Sequence, residues 1–349
     1  MVMKIDASRL YELKVALPLI DVRSPLEFEQ GHIPGAVNIP LFSNEERAKV
    51  GTLYHNAGRE AALLLGLDFV GPQMSGFVKK LNGLCHHKPK EVIVYCWRGG
   101  MRSGSMAWLF STAGFKVHLL EGGYKAYRAF IRELSGAGKP IVVLGGMTGS
   151  GKTEILHKLQ EKGEQIIDLE RLACNKGSVF GYLGQPIQPT NEQFENDLFE
   201  AWNKLDSTKP VWIEDESRSI GAVGIPGPFF ERMKLSPMLM IDVPPQVRVQ
   251  RLVHEYAVFD KALLANALIK IAQPLGGLVY NEALVAIEEC RFAEAINLVL
   301  GYYDKTYRKA LQKFVNREIF EVKTDTGDAN INAGLLLKTK PNMIKVPFL

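Results

Sequence analysis

The stretch Gly145–Thr153, GGMTGSGKT, constrains the fold more than any other part of this 349-residue chain. Gly146 is followed, after four intervening residues, by Gly151-Lys152-Thr153, the spacing of a Walker A loop. An apolar, β-branched run, PIVVL, precedes it, and a helical segment, EILHKLQEKG, follows. A chance glycine-rich turn would lack both flanks. The amides of Thr148, Gly149, Ser150, Gly151 and Lys152 would wrap a diphosphate, and Lys152 would neutralise it. The Thr153 hydroxyl would hold Mg²⁺ where a metal is used. A strand feeding such a loop belongs to a mainly parallel α/β sheet.

Further apolar runs, QIIDL, PVWIED and MLMIDV, extend this P-loop α/β domain over residues 136–250. VWIEDES offers an acidic partner for the loop in Glu214, Asp215 or Glu216; an ordinary acidic strand end is the alternative. Arg218 follows closely. Arg248 and Arg251 lie one turn apart on the next helix and resemble lid arginines of P-loop kinases, placed to contact an anion; a solvated face would read the same. From Val247 on, apolar residues recur at helical spacing, and one late strand, IFEVKT, precedes a polar tail. The region 251–349 is thus expected to be mainly helical.

The front of the chain, residues 1–135, also alternates short β-branched runs (LPLIDV, EVIVYC, KVHLL) with longer helical patterns such as EERAKVGTLYHNAGREAALLLGL. A Gly/Pro hinge, SGAGKP, joins it to the P-loop domain. EVIVYCWRGGMRSGSMAWLF sets Cys96 at the end of a buried strand. Trp97, Arg98, Gly99, Gly100, Met101, Arg102 and Ser103 then form a loop opening into a helix. Gly-rich loops and helix N-termini point amides inward, and two arginines add positive charge. Such surroundings favour a thiolate and any anion bound to it. The plainer reading of Cys96 is a small buried hydrophobe, but packing alone gives no reason for Gly-Gly-x-Arg-Ser.

Composition narrows the class. Hydrophobic residues are 46% and charged residues 23%, as in globular proteins, which argues against a disordered or collagenous chain. Lys and Arg number 42 against 38 acidic residues, so any RNA contact must come from local patches. The four cysteines show no paired zinc spacing and are too few for a disulfide scaffold, which points to a reducing cytoplasm. The opening MVMKIDASRLYELK is too polar for a signal peptide, and no run of about 18 apolar residues suggests a membrane span. Cys85-His86-His87 has no second ligand pair, so no metal site is expected. Cys174 falls in an expected loop, ERLACNKGSVFG, and Cys290 reads as core. Tyr302, Tyr303, Lys305, Tyr307, Arg308 and Lys309 interleave aromatics with bases. They suit either an RNA-stacking face or an amphipathic helix.

Asp21-Val22-Arg23 and His32-Ile33-Pro34-Gly35-Ala36, with EGGYKAYR at 121–128, resemble the signatures of rhodanese-like domains. That resemblance implies a chalcogen carried on Cys96. Arg102 stands six positions after Cys96, one more than in many sulfurtransferases and like the spacing of cysteine-dependent phosphatases. CWRGGMRS, GGMTGSGKT, GSVFGYLG, QPTNEQFEN and WIEDESRSIG, in this order, resemble the tRNA 2-selenouridine synthase family along nearly the whole chain. Asn175-Lys176 departs from the His-Arg pair of that family's pattern. The implied fold is a rhodanese-like domain followed by a P-loop NTPase-like parallel α/β domain with a helical C-terminal region.

The implied activity is modification of the wobble uridine of tRNA. A geranyl group from geranyl diphosphate is placed on the sulfur of 2-thiouridine, and the sulfur is then replaced by selenium from selenophosphate. No covalent cofactor is implied beyond a transient chalcogen adduct of Cys96. Two other functions fit the same motifs: an ATP-dependent tRNA or small-molecule sulfurtransferase using a Cys96 persulfide, and a regulatory module with an anion-sensing loop and a nucleotide switch. An intact thiol argues against the last.

Overall fold

A computed structural model describes residues 1–85, 90–313 and 317–340, which divide into two units, Met1–Leu134 and Ser135–Leu349. The first holds β1 (Val2–Ile5), β2 (Leu19–Asp21), β3 (Ala36–Asn38), β4 (Glu91–Tyr95) and β5 (Lys116–Leu120). They form one parallel sheet in the order β1-β5-β4-β2-β3. Around it lie α1 (Ala7–Leu13), α2 (Pro25–Gln30), α3 (Asn44–Val70), α4 (Met74–Leu84), α5 (Met101–Thr112) and α6 (Gly123–Glu133). The central strands are apolar on both faces because helices cover both, as parallel sheets require. Val92 and Val94 pack with Phe77, Leu81, Phe110 and Phe115.

The helix expected from the EERAK segment exists but is broken at Gly58, whose φ of 84° and ψ of −175° are not helical. Beyond the break, Leu63, Leu64 and Leu67 stay exposed. By length and composition alone, Asn44–Leu84 is a candidate membrane-crossing stretch, the one such among the described residues and an exception to the expectation of none.

The second unit has a parallel sheet in the order β12-β11-β6-β8-β7. Its strands are β6 (Ile141–Gly146), β7 (Gln165–Ile167), β8 (Val211–Glu214), β11 (Met238–Asp242) and β12 (Ile319–Lys323); β9 (Ser219–Ile220) and β10 (Val223–Gly224) form a separate antiparallel pair. The helices are α7 (Lys152–Glu161), α8 (Leu169–Ala173), α9 (Asn191–Asn203), α10 (Gly227–Leu235), α11 (Pro245–Tyr256), α12 (Lys261–Ile269), α13 (Ala272–Leu275), α14 (Gly277–Glu288), α15 (Phe292–Leu311) and α16 (Ala329–Thr339). Strand β12 is the late strand of the sequence. It pairs with β11, so the helices α12 to α15 are inserted between two neighbouring strands of one sheet.

Candidate active sites

In the first unit, β4 delivers Cys96 at the carboxyl end of the sheet, where α/β folds place ligands. Cys96 is buried, with Sγ 3.1 Å from the Ser103 hydroxyl. Helix α5 starts at Met101, so its free N–H groups open onto the loop. Gly123, at the start of α6 with φ +59°, lets the EGGYKAYR element press on this loop: a Cβ there would lie 2.2 Å from the Cys96 carbonyl oxygen. The close approach allows the Tyr124 N–H to donate to that carbonyl at 2.8 Å and the Lys125 N–H to the Trp97 carbonyl at 3.0 Å.

The motif residues of β2 build the floor. Arg23 is buried and paired with Asp21 at 2.6 Å; it also donates to the Gly31 carbonyl at 2.7 Å and lies 4.0 Å from the Tyr124 ring centre. Burial opposes the guanidinium charge, but the bonds to Asp21 outweigh it and hold Arg23 more basic than usual. The Tyr95 hydroxyl accepts from the Ile33 N–H at 3.2 Å, and His32 stacks on Phe28. The Asp-Val-Arg and His-Ile-Pro-Gly signatures therefore brace the strand end that carries the loop.

Of the two loop arginines, Arg98 is exposed and Arg102 is engaged. Glu27 takes two bonds from Arg102, at 2.5 and 3.1 Å. Burial raises the Glu27 pKa, but Arg102 and the Ser24 amide outweigh that and hold it below the usual carboxylate range. Sequence reasoning missed Glu27. The available signal was the capping box Ser24-Pro-Leu-Glu27 that starts α2. Cys85 is half-buried beside this core, and burial pushes its thiol up. Its neighbours His86 and His87 lie outside the described residues.

In the second unit the Walker segment forms the expected turn from β6 into α7. Gly149 and Gly151 have φ of +81° and +78°, and both are covered by α11: a Cβ on Gly149 would meet Leu252, and one on Gly151 would meet the Arg251 guanidinium. Lys152 Nζ donates to the Gly146 carbonyl at 3.1 Å, and the Gly146 N–H donates to the Tyr307 hydroxyl at 3.3 Å. The Ser150 hydroxyl is buried without a hydrogen-bond partner among the described residues. The Thr153 hydroxyl donates to Glu170 at 2.6 Å. Among the described residues no three or more His, Cys, Asp or Glu side chains group to hold a metal.

The three acidic candidates separate sharply. Glu214 is fully buried; it accepts the Glu170 N–H at 3.0 Å and so holds the first turn of α8 against Thr153. Burial, and the charges of Asp168 and Glu170, push Glu214 far up. Asp215 is tied to Lys234 at 2.8 Å and Arg317 at 3.0 Å. Burial opposes its ionisation, but these two cations keep it a carboxylate. Glu216 faces the cavity beside the loop, where burial and the charge of Glu170 push it up to about 8 against the pull of Lys152.

Among the arginine candidates, Arg248 departs from expectation. Arg248 is buried and committed, with Asp304 at 2.7 and 3.0 Å and the Thr148 carbonyl at 3.0 Å. It clamps the Walker loop and is not a free lid residue. Arg251 pairs with Glu154 and lines the cavity. Arg218 is exposed and does not line the cavity. Helical spacing had left the burial of these faces open.

Three other expectations change. Cys290 is exposed just past the end of α14, with φ +59°, so it is not core. ERLAC is a short helix, α8, capped by Cys174 in the left-handed region. On α15, Tyr303 and Tyr307 turn inward to the Val179 and Gly146 amides, Tyr302 is half-buried against Tyr303, and Lys305, Arg308 and Lys309 stay exposed.

Gln188, in the QPTNEQFEN motif, donates to the Ala173 and Ile220 carbonyls at 2.8 and 3.0 Å. Thr190 caps α9. Asn175 accepts from the Gly177 amide and Lys176 pairs with Glu255. That motif and Asn175 belong to the scaffold around the loop, while Lys176 also lines the cavity beside it.

One cavity of about 1200 Å³ joins these groups to something sequence reasoning had not located. Its polar end holds the Walker loop, Glu170, Lys176 and Glu216. Its other end is apolar, lined by Leu264 of α12, Ile287 of α14, and Phe292, Ile296 and Val299 of α15.

Residues 139–273 match the family model for the tRNA 2-selenouridine synthase AAA domain, and residues 6–130 match the rhodanese-like domain. The chain is 37% identical to a tRNA 2-selenouridine synthase of Bdellovibrio bacteriovorus, over 85% of this chain and 89% of that protein. It is 36% identical to the protein of the same description in Shewanella frigidimarina, over 87% of this chain and 91% of that one. A third, from Nitrosomonas eutropha, is also 36% identical, over 88% of this chain and 92% of its own length.

Proposed function

The chain belongs to the tRNA 2-selenouridine synthase family, and from that premise we propose that it rebuilds the wobble position of tRNA in two steps. In the first, a prenyl diphosphate, geranyl diphosphate by the family's chemistry, alkylates the sulfur of 2-thiouridine. In the second, selenium from selenophosphate, carried on Cys96, displaces the alkylated sulfur.

The observation that carries this reading is the single cavity with a diphosphate-gripping end and an apolar end. A nucleotide needs the first and has no use for the second; a prenyl diphosphate needs both. The loop amides and Lys152 stabilise the charge that gathers on the departing diphosphate. Leu264, Ile287, Phe292, Ile296 and Val299 take the hydrocarbon tail out of water. Alkylation turns a poor leaving group into a thiol, so that C2 opens to attack.

Cys96 suits the second step. Its sulfur is within hydrogen-bond reach of Ser103 and sits under the α5 N-terminus. Cys96, first held as a mixed disulfide with a small thiol, takes selenium from selenophosphate at Sγ: the small thiol leaves, and water carries off the phosphoryl group as phosphate. The terminal selenium attacks C2, geranylthiol leaves, and a second thiol resolves the sulfur–selenium bond. A carrier of this kind divides one hard substitution into easier ones.

Two variants test the assignment. Cys96→Ala is expected to keep geranyl transfer and lose selenium insertion. Lys152→Ala is expected to lose geranyl transfer first, by roughly 100-fold, as for removal of one group that stabilises developing charge. A Cys96→Ala protein that ran both steps at full rate would remove the carrier role. Stoichiometric ATP hydrolysis during turnover would instead favour the sulfurtransferase reading.

A further inference from the structure

S-alkylation of 2-thiouridine releases a proton. The neutral product has a C2=N3 double bond, so the N3–H proton must leave as the sulfur–carbon bond forms. N3 and sulfur are both bonded to C2, so the proton departs within about 3 Å of the attacking sulfur, at hydrogen-bond range for a positioned base. Its acceptor therefore belongs at the diphosphate end of the cavity, not the apolar end.

The carboxylates lining that cavity can be sorted by what they already hold. Glu154 pairs with Arg251, and Glu255 with Lys176. Asp168 bonds His157 at 2.6 Å and caps α8. Glu170 holds the Thr153 hydroxyl, and Asp215 is tied to Lys234 and Arg317. Glu216 is different. It is 7% exposed, lines the cavity, and its carboxylate makes no hydrogen bond or ion pair among the described residues. Gly177 keeps the space clear for it: a Cβ there would lie 2.6 Å from one carboxylate oxygen. A buried, unsatisfied carboxylate is costly unless something it receives repays it.

We propose that Glu216 is the catalytic base of the alkylation step, taking the N3 proton of 2-thiouridine as its sulfur attacks the prenyl carbon. This rests on the prenyl-transfer reading above. The N3–H electron pair becomes the C2=N3 bond, and the C2=S π pair moves to sulfur and forms the S–C bond. The prenyl C–O bond breaks, and its pair leaves with the diphosphate. Glu216 then passes its proton to the departing diphosphate or to water. Burial, with Glu170 and Asp215 beside it, raises its proton affinity, and Lys152 and Lys234 pull it back, so that it stays close to working pH, where a base is most effective.

The test measures geranyl transfer from geranyl diphosphate to tRNA carrying 2-thiouridine, with the full chain. Glu216→Gln is expected to lower kcat by roughly 100-fold, the lower end for a general base, and to leave the KM for geranyl diphosphate nearly unchanged. Glu216→Asp should retain more activity than Glu216→Gln, and added formate should restore part of the rate of Glu216→Ala. A misfolded variant would not respond to formate. Full activity in Glu216→Gln overturns the proposal. So does a loss that neither aspartate nor formate relieves. Wild-type protein that transfers no geranyl group overturns the prenyl reading itself, and the base with it.

Discussion

At the residue scale, the two loops differ in how firmly their cations are already held. Arg102 meets Glu27, and Lys152, among the described residues, bonds a carbonyl and no carboxylate. An anion entering the Cys96 loop must therefore compete with a carboxylate. The Glu27–Arg102 pair also leaves a stability signature. The folded pKa of Glu27 is depressed, so its contribution is present above the ordinary carboxylate value near 4.5 and is lost as pH falls through the lower folded value. Arg102→Ala should destabilise α2 by on the order of 1 kcal/mol at pH 7, discounted for solvent screening at a quarter-exposed carboxylate. The difference from wild type should shrink as pH falls below about 4.5 and vanish at a pH low enough to protonate Glu27 in the folded state as well. Hydrogen exchange of the α2 amides at the two pH values checks both.

At the element scale, the contact that matters most in the first unit is α6 against the Cys96 loop. Gly123→Ala must push the α6 start off the Cys96 carbonyl. It should cost several kcal/mol, with loss of selenium loading, since both strain and hydrogen bonds are at stake. Gly114 also has a positive φ, +90°, but nothing crowds it. Gly114→Ala should cost only about 1 kcal/mol and leave loading intact. Urea melts and mass spectrometry of the selenium adduct separate the two.

What could be read before the fold was known follows the same division. Cys96 and the Walker loop were legible because spacing within a few residues fixes their backbone shape. Glu27, Glu170, Asp304 and Tyr307 were not, because each reaches its partner from a distant segment: Asp304 lies 56 positions from Arg248, and Tyr307 lies 161 from Gly146. Arg248 was misread because a helical period does not say which face is covered. Cys290 was misread because it sits past the end of its helix, where the period no longer applies.

At the scale of the whole second unit, polar and apolar ends of one cavity come from different parts of the chain. The sheet supplies the Walker loop, and α12, α14 and α15 supply much of the apolar end, the chamber proposed for the prenyl tail. Ile296→Trp should raise the KM for geranyl diphosphate at least about tenfold by filling that chamber, a loss of over 1.4 kcal/mol of binding. Inorganic diphosphate, which has no tail, should inhibit the variant as well as it inhibits the wild type. Equal losses for both would place the hydrocarbon elsewhere.

The pairing of β12 with β11 bears on any attempt to change the donor. The chamber-forming helices leave the sheet at one strand and the chain returns beside it, so they are stitched down at both ends. Clipping the protein from its carboxyl terminus would tear out an edge strand, and Arg317 with it, before it reached a single chamber wall. Swapping the stretch between α11 and β12 for a relative's, as a graft with both seams kept, is the route by which donors of other lengths could be accommodated on an unchanged phosphate grip.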